Sequence, residues 1–423
     1  MKISKITIDN IRCFEHLEID LNSKNGASNL VLIVGNNGVG KTTVLRSIAL
    51  GICEQSGASG LIDELEGNWI RDGKKDATIK IEIEPFKGCT EKAHILTTFE
   101  QTEIEEIEVK QHVFPEKPET FKWKELFLCG YGAARRQYGA QAYSEYTITD
   151  AVYTLFNYDH DLQNPELNIR RASSVGIKER TILEGIEKIL MLEENSITLD
   201  MTGIRVSGPW GSKMPMGALG DGYQATMAWI LDWYGWHLLL NNGTGNRELS
   251  GIILLDELEQ HLHPIWQMEI IKRFNNQFKN IQFITTTHSP LIALNSHTLK
   301  DEKQKTSHFV LDWSGDYVEI SQINELLFDL DYDQLLASEA FGHIYNTNTE
   351  IDKILREMSK LASIDKPNES QSAKLEKIKQ ELKQIMFPEG RTLIERIVER
   401  DYYKELEKEN KKFKEILERK AKR

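Results

Sequence analysis

Residues 35–42 read GNNGVGKT, a full match to the pattern G-x-x-x-x-G-K-[ST]. The run before it, NLVLIVG at residues 29–35, is continuously apolar, as in a central strand that is covered on both faces. A helical pattern, TTVLRSIALGI, comes next. Gly35, Gly38 and Gly40 let the backbone bend so that successive N–H groups face a phosphate, and the next helix directs its positive end there. The segment therefore predicts a phosphate-binding loop between a buried strand and a helix.

This loop predicts ATP and Mg²⁺ as cofactors. Lys41 is expected to reach the β- and γ-phosphates, and the Thr42 hydroxyl is expected to bind Mg²⁺. The residues expected to contact ATP here are Gly35, Asn36, Asn37, Gly38, Val39, Gly40, Lys41, Thr42 and Thr43.

A second apolar run, GIILLDE, ends in two carboxylates at residues 256 and 257. Asp256 is predicted to hold Mg²⁺ directly or through a water molecule. Glu257 is placed to orient and deprotonate the attacking water, which would make it catalytic. Without the phosphate-binding loop in the same chain, Glu257 would be interpreted as a solvated loop residue.

Histidines follow both of the later apolar runs. FITTTHSP brings His288 to the end of a buried strand, where an imidazole can contact a γ-phosphate or its attacking water; the alternative is a capping histidine on a turn. His261 and His263 could in principle bind a transition metal. Since no cysteine cluster and no H-E-x-x-H motif accompanies them, zinc is not expected.

The stretch MGALGDGYQATMAWI places Gly220 and Gly222 just before a predicted helix. It is a second site able to receive an anion, and one phosphate chain rarely needs two in one polypeptide. The arrangement makes sense if this loop of one subunit closes on the nucleotide of another, although such a turn can also be an ordinary helix cap. The loop residues predicted to contact the nucleotide are Leu219, Gly220, Asp221 and Gly222.

The phosphate-binding loop, LGDGYQ, LLDE and the strand-end histidine, in that order, resemble the ABC-type ATPase heads of the RecF, SMC and OLD families, within the AAA family of ATP-binding proteins. The resemblance covers residues 1–320 and implies a head-to-head dimer with two ATP molecules between the subunits. It makes residues 219–223 the signature loop and His288 the switch histidine. Gly220 departs from the serine that is usual in transporter and SMC heads.

The resemblance also calls for a glutamine that bridges Mg²⁺ and the attacking water. Gln137, after LFLCGYGAARR, is the candidate for this metal-site residue. Arg135 or Arg136 is an alternative functional residue, or both arginines are surface charge.

The expected fold is α/β, a P-loop NTPase head of ABC type with a mixed sheet, an antiparallel β subdomain and a helical lobe, followed by an α-helical extension. Residues 1–330 form the head, with a β insertion at residues 77–113, a helical lobe at 140–195 and the signature loop and helix at 217–240. Residues 331–423 carry apolar residues at steps of three and four. They are a solvated helical appendage or a region that binds a partner or dimerises.

The composition of the 423-residue chain, with a net charge of −13, argues against a surface broadly coated in basic residues for nucleic acid. Four cysteines lie far apart and no apolar segment is long enough to span a membrane, so a cytoplasmic location without membrane contact is expected. A basic cluster, which is either a solvated helix surface or a nucleic-acid contact, consists of Arg170, Arg171, Lys178 and Arg180.

The sequence leaves no room for the long coiled-coil arms of SMC proteins and lacks the acidic pattern of a Toprim nuclease. It resembles the stand-alone ATPases of two-gene phage-defence systems such as Septu and PARIS. The resemblance implies an ATPase that controls a separate effector, an HNH or Toprim nuclease. The alternative is a DNA-repair ATPase of RecF type that binds DNA directly.

Overall fold

The computed structural model describes residues 1–23, 26–86, 89–103, 106–114, 121–135, 138–139, 143–240, 250–296 and 306–322, together with Lys374 and Lys377. The chain divides into two units, residues 1–343 and 344–423. The helical extension predicted at residues 331–423 lies outside the described residues, apart from the two lysines, which are helical. The strands and helices named below all belong to the first unit.

The first unit contains sixteen described strands and eight described α-helices. The strands are β1 (Ile3–Ile11), β2 (Phe14–Asp20), β3 (Asn22–Ser23), β4 (Gly26–Ala27), β5 (Leu30–Gly35), β6 (Asp76–Ile83), β7 (Ala93–Gln101), β8 (Ile107–Phe114), β9 (Leu128–Tyr131), β10 (Ile197–Asp200), β11 (Gly203–Gly208), β12 (Gly211–Pro215), β13 (Ser250–Leu255), β14 (Asn280–Thr287), β15 (Thr306–Ser314) and β16 (Tyr317–Gln322). The helices are α1 (Lys41–Ile52), α2 (Gln55–Asp63), α3 (Ile148–Val152), α4 (Pro165–Ser174), α5 (Glu179–Ile189), α6 (Asp221–Leu240), α7 (Pro264–Gln277) and α8 (Pro290–Ser296).

A six-stranded mixed sheet in the order β16-β15-β5-β14-β13-β9 carries the phosphate-binding loop. All neighbouring pairs are parallel except β15 and β16. Every residue of β5 is buried, because alternate side chains enter hydrophobic cores on opposite faces of the sheet. This confirms the doubly covered central strand. The carboxyl ends of β5, β13 and β14 meet at one edge, where open α/β sheets bind their ligands.

The strands predicted at residues 77–113 form β6, β7 and β8, and they pair antiparallel as expected. They continue the antiparallel pair β1 and β2 into one five-stranded sheet in the order β2-β1-β6-β7-β8. The period-2 pattern identified the strands, yet it carries no information about which distant strand each one pairs with.

Helix α1 packs between the two large sheets, against β6 and β7 and also against β5 and β14. All of its residues except Thr42 are fully or largely buried. Helix α1 begins at Lys41. The packing of this helix therefore fixes where its first turn lies relative to the end of the central sheet.

The other face of the central sheet is covered by α6, α7 and the helical lobe formed by α4 and α5. Three tryptophans of α6, at positions 229, 233 and 236, are buried there. The helix predicted at residues 223–239 is confirmed and begins slightly earlier, at Asp221. Strands β10, β11 and β12 form a small antiparallel sheet ahead of α6.

Candidate functional site

The phosphate-binding loop connects β5 to α1 and takes backbone conformations that favour glycine. Gly38 and Gly40 have φ values of 81° and 89°. A Cβ atom at Gly40 would also lie 2.6 Å from Cys13 Sγ and 2.8 Å from a ring atom of Phe14. The turn between β1 and β2 therefore packs directly on this loop, and only glycine fits there.

Lys41 points its ammonium group back over the loop. Its Nζ donates to the carbonyl oxygens of Gly35 at 2.8 Å and Asn36 at 2.9 Å, and it lies 3.4 Å from Nδ1 of His288. Burial lowers the pKa of Lys41 to about 8, while the nearby carboxylates act in the opposite direction. The loop thus holds a cation at the carboxyl end of the central strand.

Thr42 and Asp256 come from different elements and meet at the same edge. Thr42 Oγ1 donates to Asp256 Oδ2 at 2.7 Å, and Thr286 Oγ1 donates to Asp256 Oδ1 at 2.6 Å. Asp256 is almost fully buried. Carboxylate and hydroxyl oxygens are the ligands that Mg²⁺ prefers. The predicted metal residues Thr42 and Asp256 therefore form a pair that can bind Mg²⁺ together.

Glu257 follows Asp256 in a left-handed conformation, with φ at 46°. Its backbone N–H donates to Thr286 Oγ1 at 2.8 Å, which stabilises this turn. Burial raises the pKa of the Glu257 carboxyl, and the carboxylates of Asp256 and Glu259 raise it further. Such strain is often found at functional positions, and a raised pKa makes a carboxylate a better proton acceptor.

Arg135 is buried and has a structural function. Its guanidinium group donates to the carbonyl oxygens of Gly132, Asp256 and Glu257 at 3.1, 2.6 and 2.9 Å. Burial lowers the pKa of Arg135 to about 10, so the group stays protonated at neutral pH. The alternative that Arg135 is surface charge is wrong, because its side chain supports the turn that carries the two carboxylates. Arg136 and Gln137 lie outside the described residues.

His288 lies at the end of β14, beside Lys41, as the strand-end position predicts. It is half-buried, and burial together with the Lys41 ammonium holds the pKa of its imidazole below the usual range. A neutral ring next to a lysine can accept a hydrogen bond or donate one to a phosphate oxygen. The sequence analysis did not identify Glu259, whose carboxylate accepts a hydrogen bond from the backbone N–H of His288.

The signature loop lies at the start of α6, on a different part of the surface. An open pocket of about 450 Å³ is lined by Gly220, Asp221, Gly222 and Tyr223 on one side and by His261, His263 and Trp266 on the other. None of residues 35–42, all of which the structure describes, lines this pocket. The signature loop and the phosphate-binding loop of one chain therefore do not share this pocket.

Gly222 packs tightly against the loop after Glu257, since a Cβ atom there would lie 2.3 Å from His261 O. A Cβ atom at Gly220, by contrast, would meet no atom within 4 Å. The first glycine of the loop is thus free to face a ligand, whereas the second glycine serves packing.

His263 and the three arginines of the basic cluster have local partners. His263 caps α7, where its side chain accepts a hydrogen bond from the N–H of Ile265. Among the described residues, no group of three or more histidine, cysteine or acidic side chains is placed to hold a metal ion. Within the basic cluster, Arg180 pairs with the carboxylates of Glu184 and Glu187.

Arg170 and Arg171, in the same basic cluster, donate to backbone carbonyl oxygens of Asp200 and Tyr143. These contacts favour the interpretation of the cluster as a helix surface. In the part of the chain that the structure describes, no helix has the length and apolar character needed to cross a membrane.

Two family models match the chain across this site. One, described as "AAA domain", matches residues 5–199, and another, described as "AAA domain, putative AbiEii toxin, Type IV TA system", matches residues 158–295. The two matches together include the phosphate-binding loop and the strand-end carboxylates. Residues 5–295 of this chain are thus similar to AAA domains. This similarity agrees with the ATPase that the order of motifs predicts.

The ATPase domain has curated relatives of similar sequence. It is 27% identical to "Septu protein PtuA" of Bacillus mycoides (strain KBAB4), over 90% of this chain and 50% of the relative. It is 33% identical to "Retron Vc95 probable ATPase" of Vibrio cholerae serotype O1 biovar El Tor, over 32% of this chain and 25% of that protein. The chain thus spans half the length of the first relative and a smaller share of the second.

Among solved structures, the ATPase domain is similar to an SMC head domain from Thermotoga maritima, with a TM-score of 0.43 and 14% identity. That match covers 77% of this chain and 100% of the other. A second match is the SmcHead bound to the C-winged helix domain of ScpA, with a TM-score of 0.48, 13% identity, and coverage of 78% and 100%.

Proposed function

We propose that this protein is a Mg²⁺-dependent ATPase that dimerises around ATP and controls a separate effector, a nuclease, in bacterial defence against phage. The observation that carries the ATPase part is the 2.7 Å hydrogen bond from Thr42 Oγ1 to Asp256 Oδ2. It joins the helix after the phosphate-binding loop to the strand-end carboxylate, which is the pairing that a bound Mg²⁺ requires.

In this proposal ATP lies along the loop of residues 35–43, and its phosphates replace the carbonyl oxygens that Lys41 now contacts. Thr42 and Asp256 hold Mg²⁺, which neutralises charge on the phosphates when it is bound. Two of the three ammonium protons of Lys41 already point at loop oxygens. Exchange of these partners for phosphate oxygens therefore requires little movement of the side chain.

Hydrolysis needs a base beside the γ-phosphate. Glu257 orients a water molecule and accepts its proton as the water oxygen attacks the γ-phosphorus, and the bond to ADP breaks. The raised pKa of the Glu257 carboxyl supports this function. His288 then contacts the γ-phosphate from the side of Lys41, since its ring lies 3.4 Å from the ammonium nitrogen.

The second subunit supplies the signature loop. Gly220 precedes α6, which begins at Asp221, and the N-terminus of this helix directs backbone N–H groups and a positive dipole outward. Their pocket is lined by no residue of the phosphate-binding loop of the same chain. We infer that this surface meets the nucleotide of a partner subunit, as in a symmetric head-to-head dimer.

Control of an effector is supported by the relatives, whose names place them in Septu and retron systems. The Septu relative matches 90% of this chain, which includes much of the region after residue 330. We propose that residues 331–423 bind the effector. Direct DNA binding of RecF type finds no support in the basic cluster, since Arg170, Arg171 and Arg180 each have a partner on the chain.

The test is co-purification of the full chain, and of a chain lacking residues 344–423, with the protein encoded next to it. The deletion falls between the two units and so leaves the first one whole. We expect the shortened chain to keep most ATPase activity and to lose both effector binding and protection from phage. Retention of the neighbour by the shortened chain, or tight binding of gapped DNA at physiological salt without any partner, would contradict the effector proposal.

A further inference from the structure

Three consecutive threonines at the end of β14 each bind a different part of the segment that carries the acidic residues. Their side chains are almost fully buried, so these hydroxyl groups need partners within the protein. The bonds join Thr285 Oγ1 to Leu255 O at 2.9 Å, Thr286 Oγ1 to Asp256 Oδ1 at 2.6 Å and Thr287 Oγ1 to Glu259 Oε2 at 2.6 Å.

Glu259 binds the end of β14 with both of its carboxylate oxygens. Oε2 accepts from the Thr287 hydroxyl, and Oε1 accepts from the backbone N–H of His288. The end of β14 that carries the histidine is therefore held by two hydrogen bonds to one side chain of the loop that follows Glu257.

The residue after His288 is also fixed. Ser289 donates its backbone N–H to Thr287 Oγ1 at 3.0 Å, and its hydroxyl donates to Gln267 Oε1 at 2.6 Å. The Thr287 hydroxyl thus accepts from the residue after the histidine, Ser289, and donates to Glu259 Oε2. His288 projects from this braced segment toward Lys41.

We propose that Glu259 and Thr287 are positioning residues for the proposed ATPase reaction, and that they set where the His288 ring meets the γ-phosphate. The inference rests on the proposed function and adds residues that act through His288 without touching the nucleotide. Displacement of a group that contacts the substrate by about 1 Å can lower the rate by two orders of magnitude. The hydrogen bond to the His288 backbone is therefore expected to affect the rate of hydrolysis.

The first test compares Thr287→Val with Thr287→Ser. Valine keeps the shape of the side chain and removes the hydroxyl, whereas serine keeps the hydroxyl. For Thr287→Val we expect kcat to fall about tenfold or more, with ATP affinity unchanged because the phosphate-binding loop is untouched. Thr287→Ser should retain turnover. Loss of ATP affinity together with kcat in Thr287→Val would contradict the proposal, since it would indicate a general loss of structure.

The second test compares Glu259→Gln with Glu259→Ala. A glutamine can accept from the His288 N–H with its oxygen and donate to Thr287 Oγ1 with its amide nitrogen. We therefore expect Glu259→Gln to keep kcat within about threefold of the unaltered protein, and Glu259→Ala to lose it as Thr287→Val does. Equal losses in the two variants would assign Glu259 a role through its charge and would overturn the positioning proposal.

The third test places Thr287→Val in a His288→Ala background. If Thr287 acts through the histidine, the double variant is no slower than His288→Ala alone, and the two effects on kcat are not additive. Full additivity would contradict the inference. Absence of ATP hydrolysis by the unaltered protein would instead contradict the proposed function, so the two failures are distinguishable.

Discussion

At the scale of single residues, the site depends on the turn after Asp256. The left-handed conformation of Glu257 aims its side chain differently from that of its neighbour, and Arg135 and Thr286 hold the turn by bonds to its backbone. Two adjacent carboxylates thereby acquire different functions. In the proposed mechanism Asp256, which accepts from two hydroxyl groups, binds the metal, and Glu257 keeps its carboxylate available for a proton.

The functions of Lys41 and Glu257 are separable by mutation. Lys41→Ala removes the ammonium group and should abolish ATP binding. Glu257→Gln keeps the size of the side chain but removes the proton acceptor, so binding should persist while hydrolysis falls by about 100-fold or more. Binding is measured with labelled ATP and turnover by phosphate release. Hydrolysis that survives in Glu257→Gln would remove the proposed base.

The sequence predicted the residues of the site whose chemistry follows from a local motif. Lys41, Thr42 and Asp256 lie where the two motifs predict them, and His288 lies at its strand end. Arg135 could not be assigned, because its partners are carbonyl oxygens distant in sequence. Glu259 was missed, because only the folded structure shows that its side chain meets Thr287 and the backbone of His288.

At the scale of elements, the signature helix α6 is joined to the central sheet by a buried carboxylate. Asp232 accepts from the hydroxyl of Tyr131, at the end of β9, at 2.9 Å and from the backbone N–H of Gln163 at 2.8 Å. Tyr131 in turn accepts from the N–H of Asp256 through its carbonyl oxygen. The helix that begins with the signature loop is thus connected to the strand beside the acidic residues.

This connection predicts a pH dependence of stability. Burial raises the pKa of Asp232 from its ordinary value of 3.8 to about 6. A carboxyl with a raised pKa in the folded state stabilises the fold fully below its unfolded value, and this contribution is lost as pH rises through the folded value.

Asp232→Asn cannot ionise, so its free energy of unfolding relative to the unaltered protein should rise by roughly 2 kcal/mol between pH 4 and pH 6. The measurement is urea denaturation of both proteins across that range. A difference that stays constant with pH would show that Asp232 does not titrate as described. Loss of hydrogen bonds in Asp232→Asn changes its free energy of unfolding by the same amount at every pH. The pH dependence of the difference between the two proteins is therefore unaffected.

Strands with a clear local pattern were predicted from the sequence. The strands with which they pair were not. The runs predicted as strands at residues 77–113 became β6, β7 and β8, but their union with β1 and β2 in one sheet depends on pairing between distant segments. Strands β15 and β16 extend the central sheet beyond β5 and were missed, although TSHFVLDWS has a buried apolar middle. A short apolar run of this kind does not distinguish strand from helix without its neighbours.

At the scale of the whole molecule, the central claim is that ATP is held between the phosphate-binding loop of one copy and the signature loop of another. Its most direct test mixes two inactive variants. Lys41→Ala removes ATP binding from one chain, and Gly220→Asp places a carboxylate where the partner's γ-phosphate should lie. Position 220 is suitable because an added Cβ atom there meets no atom of the described residues within 4 Å, unlike position 222. Gly220→Asn is the control of equal size without charge, and it should remain more active than Gly220→Asp.

The measurement is ATP turnover of the two variants, alone and mixed in equal amounts after subunit exchange. A dimer of one copy of each variant has one site with both of its loops unaltered. The account therefore predicts no turnover by either variant alone and recovery to about a quarter of the unaltered rate in the mixture, since half of the dimers are mixed and each has one intact site. No recovery at any mixing ratio would contradict the account and would indicate a nucleotide site that is complete within one chain.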